Sequence, residues 1–351
     1  MCSGNDPAGT AAPRPAPGPA VDPIALEPVD EVVITTLVDN VFDALLAGRD
    51  GVARVPMRSG RVAAPQFEDG ATVAGLRAEH GFSALVTVRR GTTLTTLLFD
   101  TGVSPDGMVD NADRLGVDFA DVQGVVLSHG HWDHTGGLAA LAARRGGLPM
   151  TLHPLVWTRR RVAVPGVDPF ELPTLSRRAL ESEGFAVVER RQPSLLVDGC
   201  VLVTGEVDRT TDFERGMPPS HQAWDGAAAG GGAWRHDPLV LDDQAVVVHV
   251  RGRGLVVLTG CGHAGAVNVA RHAMRLTGVD RLHALLGGLH LSGPAFEPII
   301  APTVAAFAEL APDLVVPGHC SGWRAQQALA AALPDAFVPS SAGTRYTLAA
   351  A

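Results

Sequence analysis

SHGHWDHTGG, residues 128–137, packs three histidines and an aspartate into six residues directly after the apolar run VQGVVL at 122–127. Side chains alternate along an extended segment, so His129 and His131 can turn to one side. Asp133 and His134 fall where the chain turns into TGGLAALAARRGG, a short helix ending in glycine. That displacement lets them serve a second ion. Imidazole nitrogen and carboxylate oxygen together suit zinc, manganese or iron. A purely structural zinc site would favour cysteines from separated knuckles, and chance surface histidines would not abut an apolar strand. The stretch reads as a metal-binding strand end, with two ions favoured over one.

Working outward, GFSALVTV and TTLTTLLF flank an Arg-Arg-Gly turn and form an expected β-hairpin. PMTLH, GFAVVE and GCVLVTG are further strands, with TLSRRALESEG as a helix between the first two. The second half repeats the theme. AVVVHV and GLVVLTG make a hairpin around RGRG, and AGAVNVARHAMRLTG is an amphipathic helix. RLHALLGG, a helix through PTVAAFAELA, the strand DLVVPG and the helix WRAQQALAAAL follow. Two halves of hairpin plus α/β units imply an α/β, four-layer αβ/βα sandwich of two mixed sheets with helices outside. Residues 207–238 lack such a pattern and read as a lid-like loop. Trp224 and Trp234 within it would either stack on a flat ring or anchor the loop on the core.

At 351 residues with 46% hydrophobic and 19% charged content, the chain can bury a large core. Its net charge of −9 argues against a broad nucleic-acid-binding face, and the run Arg159, Arg160, Arg161 reads as a solvated face. No apolar run approaches the roughly 18 residues of a membrane helix. Cys2, Cys200, Cys261 and Cys320 make no CxxC pair, which suits a reducing cytoplasm. Residues 1–30, rich in Pro, Ala and Gly, read as a disordered leader, with the domain over 31–351. With only Met1 before Cys2 and no apolar h-region, export as a lipid-anchored protein is not expected. A small-molecule substrate, without nucleic acid or membrane, is the expected partner.

Two ions need more than four ligands. Of the thirteen histidines, His263, His290 and His319 sit beside glycine at strand ends (LTGCGHAG, LGGLHL, VVPGHC), where the backbone can turn toward a site. His153, His249, His272 and His283 lack that context and read as packing or surface residues. Asp100, in LLFDTG, ends another strand, where its carboxylate could orient the HxH loop.

The motifs LVDN (37–40), AEHGFS (78–83), LFDTG, NADRLGVD, VVLSHGHWDHTGGL, TGEV, DDQA (242–245), LTGCGHAGAVN, GGLHL and PGHCSG occur in that order. This run, from about residue 30 to the C-terminus, resembles the metallo-β-lactamase superfamily. Within it, the chain resembles the subgroup named for 7,8-dihydropterin-6-methyl-4-(β-D-ribofuranosyl)aminobenzene-5'-phosphate synthase. The resemblance implies one metal site from His129, His131 and His263 and another from Asp133, His134 and His319. It implies one or two divalent ions, zinc first, with manganese, iron or magnesium as alternatives. Many members carry a bridging aspartate in a TGD segment where this chain has TGC with Cys261. Either Cys261 or His290 could then contact metal or substrate, and an inert buried cysteine is the other reading. Diiron oxygen-reducing members carry a glutamate where His131 stands and append a flavin domain, and this chain has neither.

A divalent ion makes water reactive near neutral pH and takes up developing charge. Hydrolysis of an ester or phosphoester is therefore the expected chemistry, with Asp133 both binding metal and holding the attacking water. Two alternatives remain open. One is a transferase in which an aromatic amine displaces diphosphate from a phosphorylated, pterin-like substrate. The other is a non-catalytic, metal-containing ligand sensor. Glu79, His80, Asp243 and Gln244 lie in family-typical segments and are candidate substrate contacts. Asp243 and Gln244 could equally cap the hairpin strand.

Overall fold

Runs such as AVVVHV and GLVVLT, apolar at almost every position, suit strands covered on both faces, and that is how they lie. The computed structural model describes residues 22–55, 60–226 and 231–351. Two sheets stack face to face. The larger runs Ala186–Glu189, Pro149–Leu152, Val122–Val126, Thr93–Phe99, Ser83–Arg90, Glu31–Val38, Arg345–Ala349, Val52–Ala53 from edge to edge. The smaller runs Ser194–Leu196, Val201–Val203, Ala245–Val250, Gly254–Thr259, Leu282–Gly288, Leu314–Gly318.

In both sheets an antiparallel hairpin leads into parallel strands, from Thr93–Phe99 in one and from Gly254–Thr259 in the other. Parallel neighbours require crossovers. Helices Gly107–Leu115, Leu138–Arg144 and Arg177–Ser182 supply them for the larger sheet, and Ala266–Thr277 and Ile300–Leu310 for the smaller. Val32, Ile34, Val86 and Phe99 meet Val201, Val246, Val256 and Leu286 between the sheets. Residues of opposite phase face the helices: Val247, Val257 and Val315 with Val267 and Phe307, and Leu85, Leu98 and Val125 with Met108 and Leu141. The result is the four-layer αβ/βα sandwich anticipated from the alternation of elements.

Two regions depart from the sequence reading. Within 207–238, His221–Asp225 and Ala233–His236 are strands, not part of a patternless lid. They join Phe170–Glu171 and Arg160–Val162 in a separate four-stranded sheet, an arm over one end of the sandwich. Trp224 pairs with Trp234 across the hairpin, their rings 5.4 Å apart. The guanidiniums of Arg159 and Arg161 lie 5.4 Å from the Trp224 ring and 4.6 Å from the Trp234 ring. Cross-strand aromatic and cation–π contacts hold a hairpin too short to persist alone. The tryptophans thus anchor the arm and do not face the cavity described below. Arg160, the middle of the supposed solvated run, is only 3% exposed.

The second departure is the leader. Residues 1–21 lie outside the described residues, but 22–30 belong to the domain. The Ile24 amide donates to the Leu276 carbonyl at 2.7 Å, Leu26 is buried, and Val29, fully buried, bridges to Val250. Three apolar residues at irregular spacing give no periodic signal, yet each fills a place in the core.

Candidate metal centre

The carboxyl ends of parallel strands from both sheets converge on one edge of the sandwich. Thr93–Phe99 delivers Asp100, Val122–Val126 delivers His129 to His134, Gly254–Thr259 delivers Cys261 and His263, and Leu314–Gly318 delivers His319. The approach is close. A side chain at Gly260 would strike Ser128 Oγ, and one at Gly130 would come within 2.5 Å of the Val156 carbonyl. Asp100, His290 and His319 all hold positive φ (56°, 46° and 47°), a conformation costly for residues other than glycine.

Two clusters of donor atoms result. In the first, His129 Nε2 lies 3.0 Å from His131 Nδ1, and His263 Nε2 lies 3.2 and 3.1 Å from those two atoms. Burial drives all three imidazoles well below their usual pKa, with neighbouring histidines adding to the effect, so they are neutral. In the second, Asp133 Oδ2 lies 3.6 Å from His134 Nε2 and 3.3 Å from His319 Nε2. Cys261 Sγ completes that ring at 3.2 Å from His134 Nε2 and 3.3 Å from His319 Nε2. Cys261 also lies within 4.8 Å of the donors of His129 and His263, and so stands between the two clusters. Burial pushes its thiol well up.

Whether these residues fit ions can be judged from their outer atoms. The Asp100 carboxylate accepts from the Ser128 amide at 2.7 Å, from Ser128 Oγ at 2.6 Å and from His134 Nδ1 at 2.7 Å. With its proton given to Asp100, Ser128 Oγ can accept from His129 Nδ1 at 2.9 Å. His319 Nδ1 donates to Asn40 Oδ1 at 3.2 Å. His131 Nε2 meets His221 Nε2 at 3.1 Å. In four of the five histidines the outward nitrogen is thus engaged, leaving the inward one to offer a lone pair. The exception is His263, whose Nδ1 is buried without a partner. Inward nitrogens about 3 Å apart cannot all bond one another, but they match a tetrahedral ion with Zn–N of about 2.0–2.1 Å. In the second cluster burial opposes charge on His134, yet the Asp133 and Asp100 carboxylates outweigh it and push that imidazole up to about 9. A site that draws a proton so strongly also draws a cation. The residues fit.

The other sequence candidates separate. His80 stands at the rim, its Nδ1 3.2 Å from Asn40 Nδ2 and its Nε2 3.9 Å from Asp133 Oδ2. His290 packs 4.2 Å from the His263 ring, and its Nδ1 is buried without a partner. Its donor lies within 4.8 Å of Cys261 and Cys320 but in neither main cluster. Glu79 does not reach the cavity. Its carboxylate accepts from the amides of Val103 and Ser104 at 3.0 and 3.1 Å, because that turn needs an acceptor. Asp243 and Gln244 likewise do not line the cavity. Asp243 Oδ2 accepts from the Ala264 amide at 2.9 Å, steadying the His263 turn, and burial pushes its acid up to about 6. Gln244 Nε2 donates to the Leu127 carbonyl at 2.8 Å and ties the two sheets together beneath the site.

Several residues here were not foreseen. Asp39 accepts from the His319 amide at 2.9 Å, and Asn40 orients both His319 and His80. Asp242 accepts from the Gly130 amide at 2.9 Å and from Arg160. His221 comes from the arm. Its hairpin was signalled by the near-mirror runs HQAW and AWRH around a glycine-rich centre, a recognisable turn pattern. A cavity of about 440 Å³ opens over the clusters, with Asn40, His80, Trp132, Leu172, Met217 and His221 in its wall. Among the described residues lining it none is an arginine, and the chain contains no lysine.

The family model for the metallo-beta-lactamase superfamily matches residues 78–151. The 7,8-dihydropterin-6-methyl-4-(beta-D-ribofuranosyl)-aminobenzene-5'-phosphate synthase of Methanocaldococcus jannaschii is 25% identical over 256 residues, covering 71% of this chain and 83% of that protein. An uncharacterized protein of the same organism is 24% identical, covering 71% of this chain and 86% of its own length. Among solved structures, that of Tm1679, described as a metal-dependent hydrolase of the beta-lactamase superfamily, superposes with a TM-score of 0.65. That match is at 24% identity and covers 91% of this chain and 99% of the other.

Proposed function

We propose that this chain, which belongs to the metallo-β-lactamase superfamily, is a metal-dependent hydrolase of an ester or phosphoester. The observation that carries the reading is the pair of donor clusters in which the outward nitrogens of His129, His131, His134 and His319 are engaged while their inward ones converge within each cluster. His129, His131 and His263 would hold one ion, and Asp133, His134 and His319 the other, with Cys261 within reach of both. When bound, divalent ions supply Lewis acidity that makes water reactive near neutral pH.

The chain's own groups do the rest. The imidazoles of His134 and His319 hold Asp133 well below the usual carboxylate range despite the opposing effect of burial. An acid that strong is a poor proton acceptor, so Asp133 orients an attacking water by accepting its hydrogen bond. At the rim, Asn40 Nδ2 donates to His80 Nδ1, which leaves the ring proton on His80 Nε2. That N–H can donate to a substrate oxygen. Leu172, Met217 and Trp132 give the cavity an apolar wall for the rest of the molecule.

The relative in Methanocaldococcus jannaschii favours a second reading, transfer with loss of diphosphate. A diphosphate carries charge that ions alone would have to balance here, since no arginine lines the cavity among the described residues. The cavity therefore favours a neutral or singly charged ester. Turnover in ¹⁸O-labelled water separates the readings: label in the organic product or in monophosphate means hydrolysis. Unlabelled diphosphate with a new C–N bond means transfer, and tight binding without turnover means a sensor. If hydrolysis is correct, Asp133→Asn should lower kcat by about 10²-fold, the scale of a misplaced reacting group, because the attacking water loses the carboxylate that orients it.

A further inference from the structure

We infer that the hairpin arm, through His221, fixes the tautomer of His131 so that the ring nitrogen facing the metal centre is left unprotonated. The inference rests on the metal reading above but concerns a residue outside both clusters. His221 begins the strand His221–Asp225 and is 3% exposed. Its Nδ1 lies 3.1 Å from the Asp237 carbonyl oxygen, at the far end of the same hairpin. A carbonyl only accepts, so His221 Nδ1 carries the proton and His221 Nε2 presents a lone pair. That lone pair faces His131 Nε2 at 3.1 Å. Two ring nitrogens at that distance share one proton, which must therefore reside on His131 Nε2. His131 Nδ1 is then left unprotonated, and it is the atom 3.0 Å from His129 Nε2 and 3.1 Å from His263 Nε2. A backbone carbonyl of the arm thus determines, through two imidazoles, the lone pair of a metal-facing nitrogen.

A second grip keeps the relay in register. The Asp237 amide donates to the His221 carbonyl at 3.0 Å, and Asp237 Oδ2 accepts from Arg160 Nε at 3.0 Å. The same Arg160 bonds Asp242, which holds the Gly130 amide between His129 and His131. The arm therefore meets the HxH loop at its backbone and at one of its rings. His221 is a positioning residue, acting through His131.

Long-range ¹H–¹⁵N correlation spectra of metal-free, ¹⁵N-labelled full-length protein read the tautomers directly. The proton is expected on His131 Nε2 and on His221 Nδ1, and a proton on His131 Nδ1 would overturn the inference. Zinc affinity, measured by competition with a chromophoric chelator, supplies the functional arm. His221→Phe keeps a ring but cannot accept, and should weaken zinc binding by about 10–100-fold. His221→Gln, with Oε1 able to accept from His131 Nε2, should recover most of that loss. Equal zinc affinity in wild type and His221→Phe would refute the role. Wild-type protein that takes up no zinc would instead refute the metal reading, while the spectra still decide the tautomer.

Discussion

Arg160→Met tests whether the arm is bound to the metal loop by a buried ion pair. Arg160 is 3% exposed and Asp242 fully buried, and the guanidinium reaches both Asp242 and Asp237. Methionine keeps much of the aliphatic volume but strands the Asp242 carboxylate with the Gly130 amide, 2.9 Å away, among its remaining donors. Breaking a buried pair from one side costs about 3–5 kcal/mol. The damaged protein can escape by protonating the stranded acid, which sets a ceiling. Holding a proton at pH 7 on an acid of ordinary pKa 3.9 costs about 4 kcal/mol, at 1.36 kcal/mol per unit. The same ceiling at pH 5 is about 1.5 kcal/mol. Chemical denaturation of chelator-treated protein should therefore show a loss of about 3–4 kcal/mol at pH 7 that shrinks to about 1.5 at pH 5. Adding Asp242→Asn, whose Oδ1 can still accept from Gly130, should restore most of the loss. A pH-independent loss below about 1 kcal/mol would show that the pair is hydrated and carries no weight.

Metal analysis of purified protein should find one to two equivalents of transition metal, and His131→Ala should remove much of it; a folded wild-type protein that binds neither zinc nor manganese would contradict the site. Asp243, pushed up to about 6 by burial, binds its proton more tightly folded than unfolded, so its contribution is present below about pH 4 and lost as pH rises through 6. In metal-free protein, Asp243→Asn should remove up to about 3 kcal/mol of that decline across pH 4–6, and unchanged slopes in a denaturation series would refute the assignment. Cys261→Asp should shift the preference of the bound ion from zinc toward manganese, because a thiolate favours the softer ion; an unchanged metal ratio after growth in mixed metals would mean that Cys261 binds neither.

The sandwich was legible because its strands and helices carry strong local patterns, down to the glycine that ends helix Ala266–Thr277 at Gly278. The histidines and Asp133 were legible because glycine and apolar runs flag strand ends. What escaped was whatever acts through the backbone or across long separations. Asp39 meets the His319 amide across 280 residues, and Asp242 meets the Gly130 amide across 112. Neither residue has a neighbour that hints at its partner. Glu79 shows the same effect in reverse: it is a candidate substrate contact from its segment, while the Val103 and Ser104 amides it serves give no side-chain signal. In the arm, the near-mirror runs HQAW and AWRH signal a hairpin, but the glycine-rich stretch between them is longer than a two-residue turn and reads as loop. The tryptophan and arginine contacts that hold it show only in the structure.

The backbone at the site shows why the supporting residues matter. Asp100, His290 and His319 hold positive φ at strand ends, each at a cost of about 1–3 kcal/mol. Such strain persists only where surrounding bonds outweigh it. Around Asp100 they are the Ser128 amide, Ser128 Oγ and His134 Nδ1, and around His319 they are Asp39 and Asn40. The bonds that offset the strain are thus the ones that orient the metal-facing rings. Stability and ligand geometry cannot be separated at this edge: loosening Asp39 or Ser128 releases strain and, with it, the orientation of His319 or His129. His290 is held differently: its Nδ1 is buried without a hydrogen-bond partner, and its ring meets the Cys320 thiol instead.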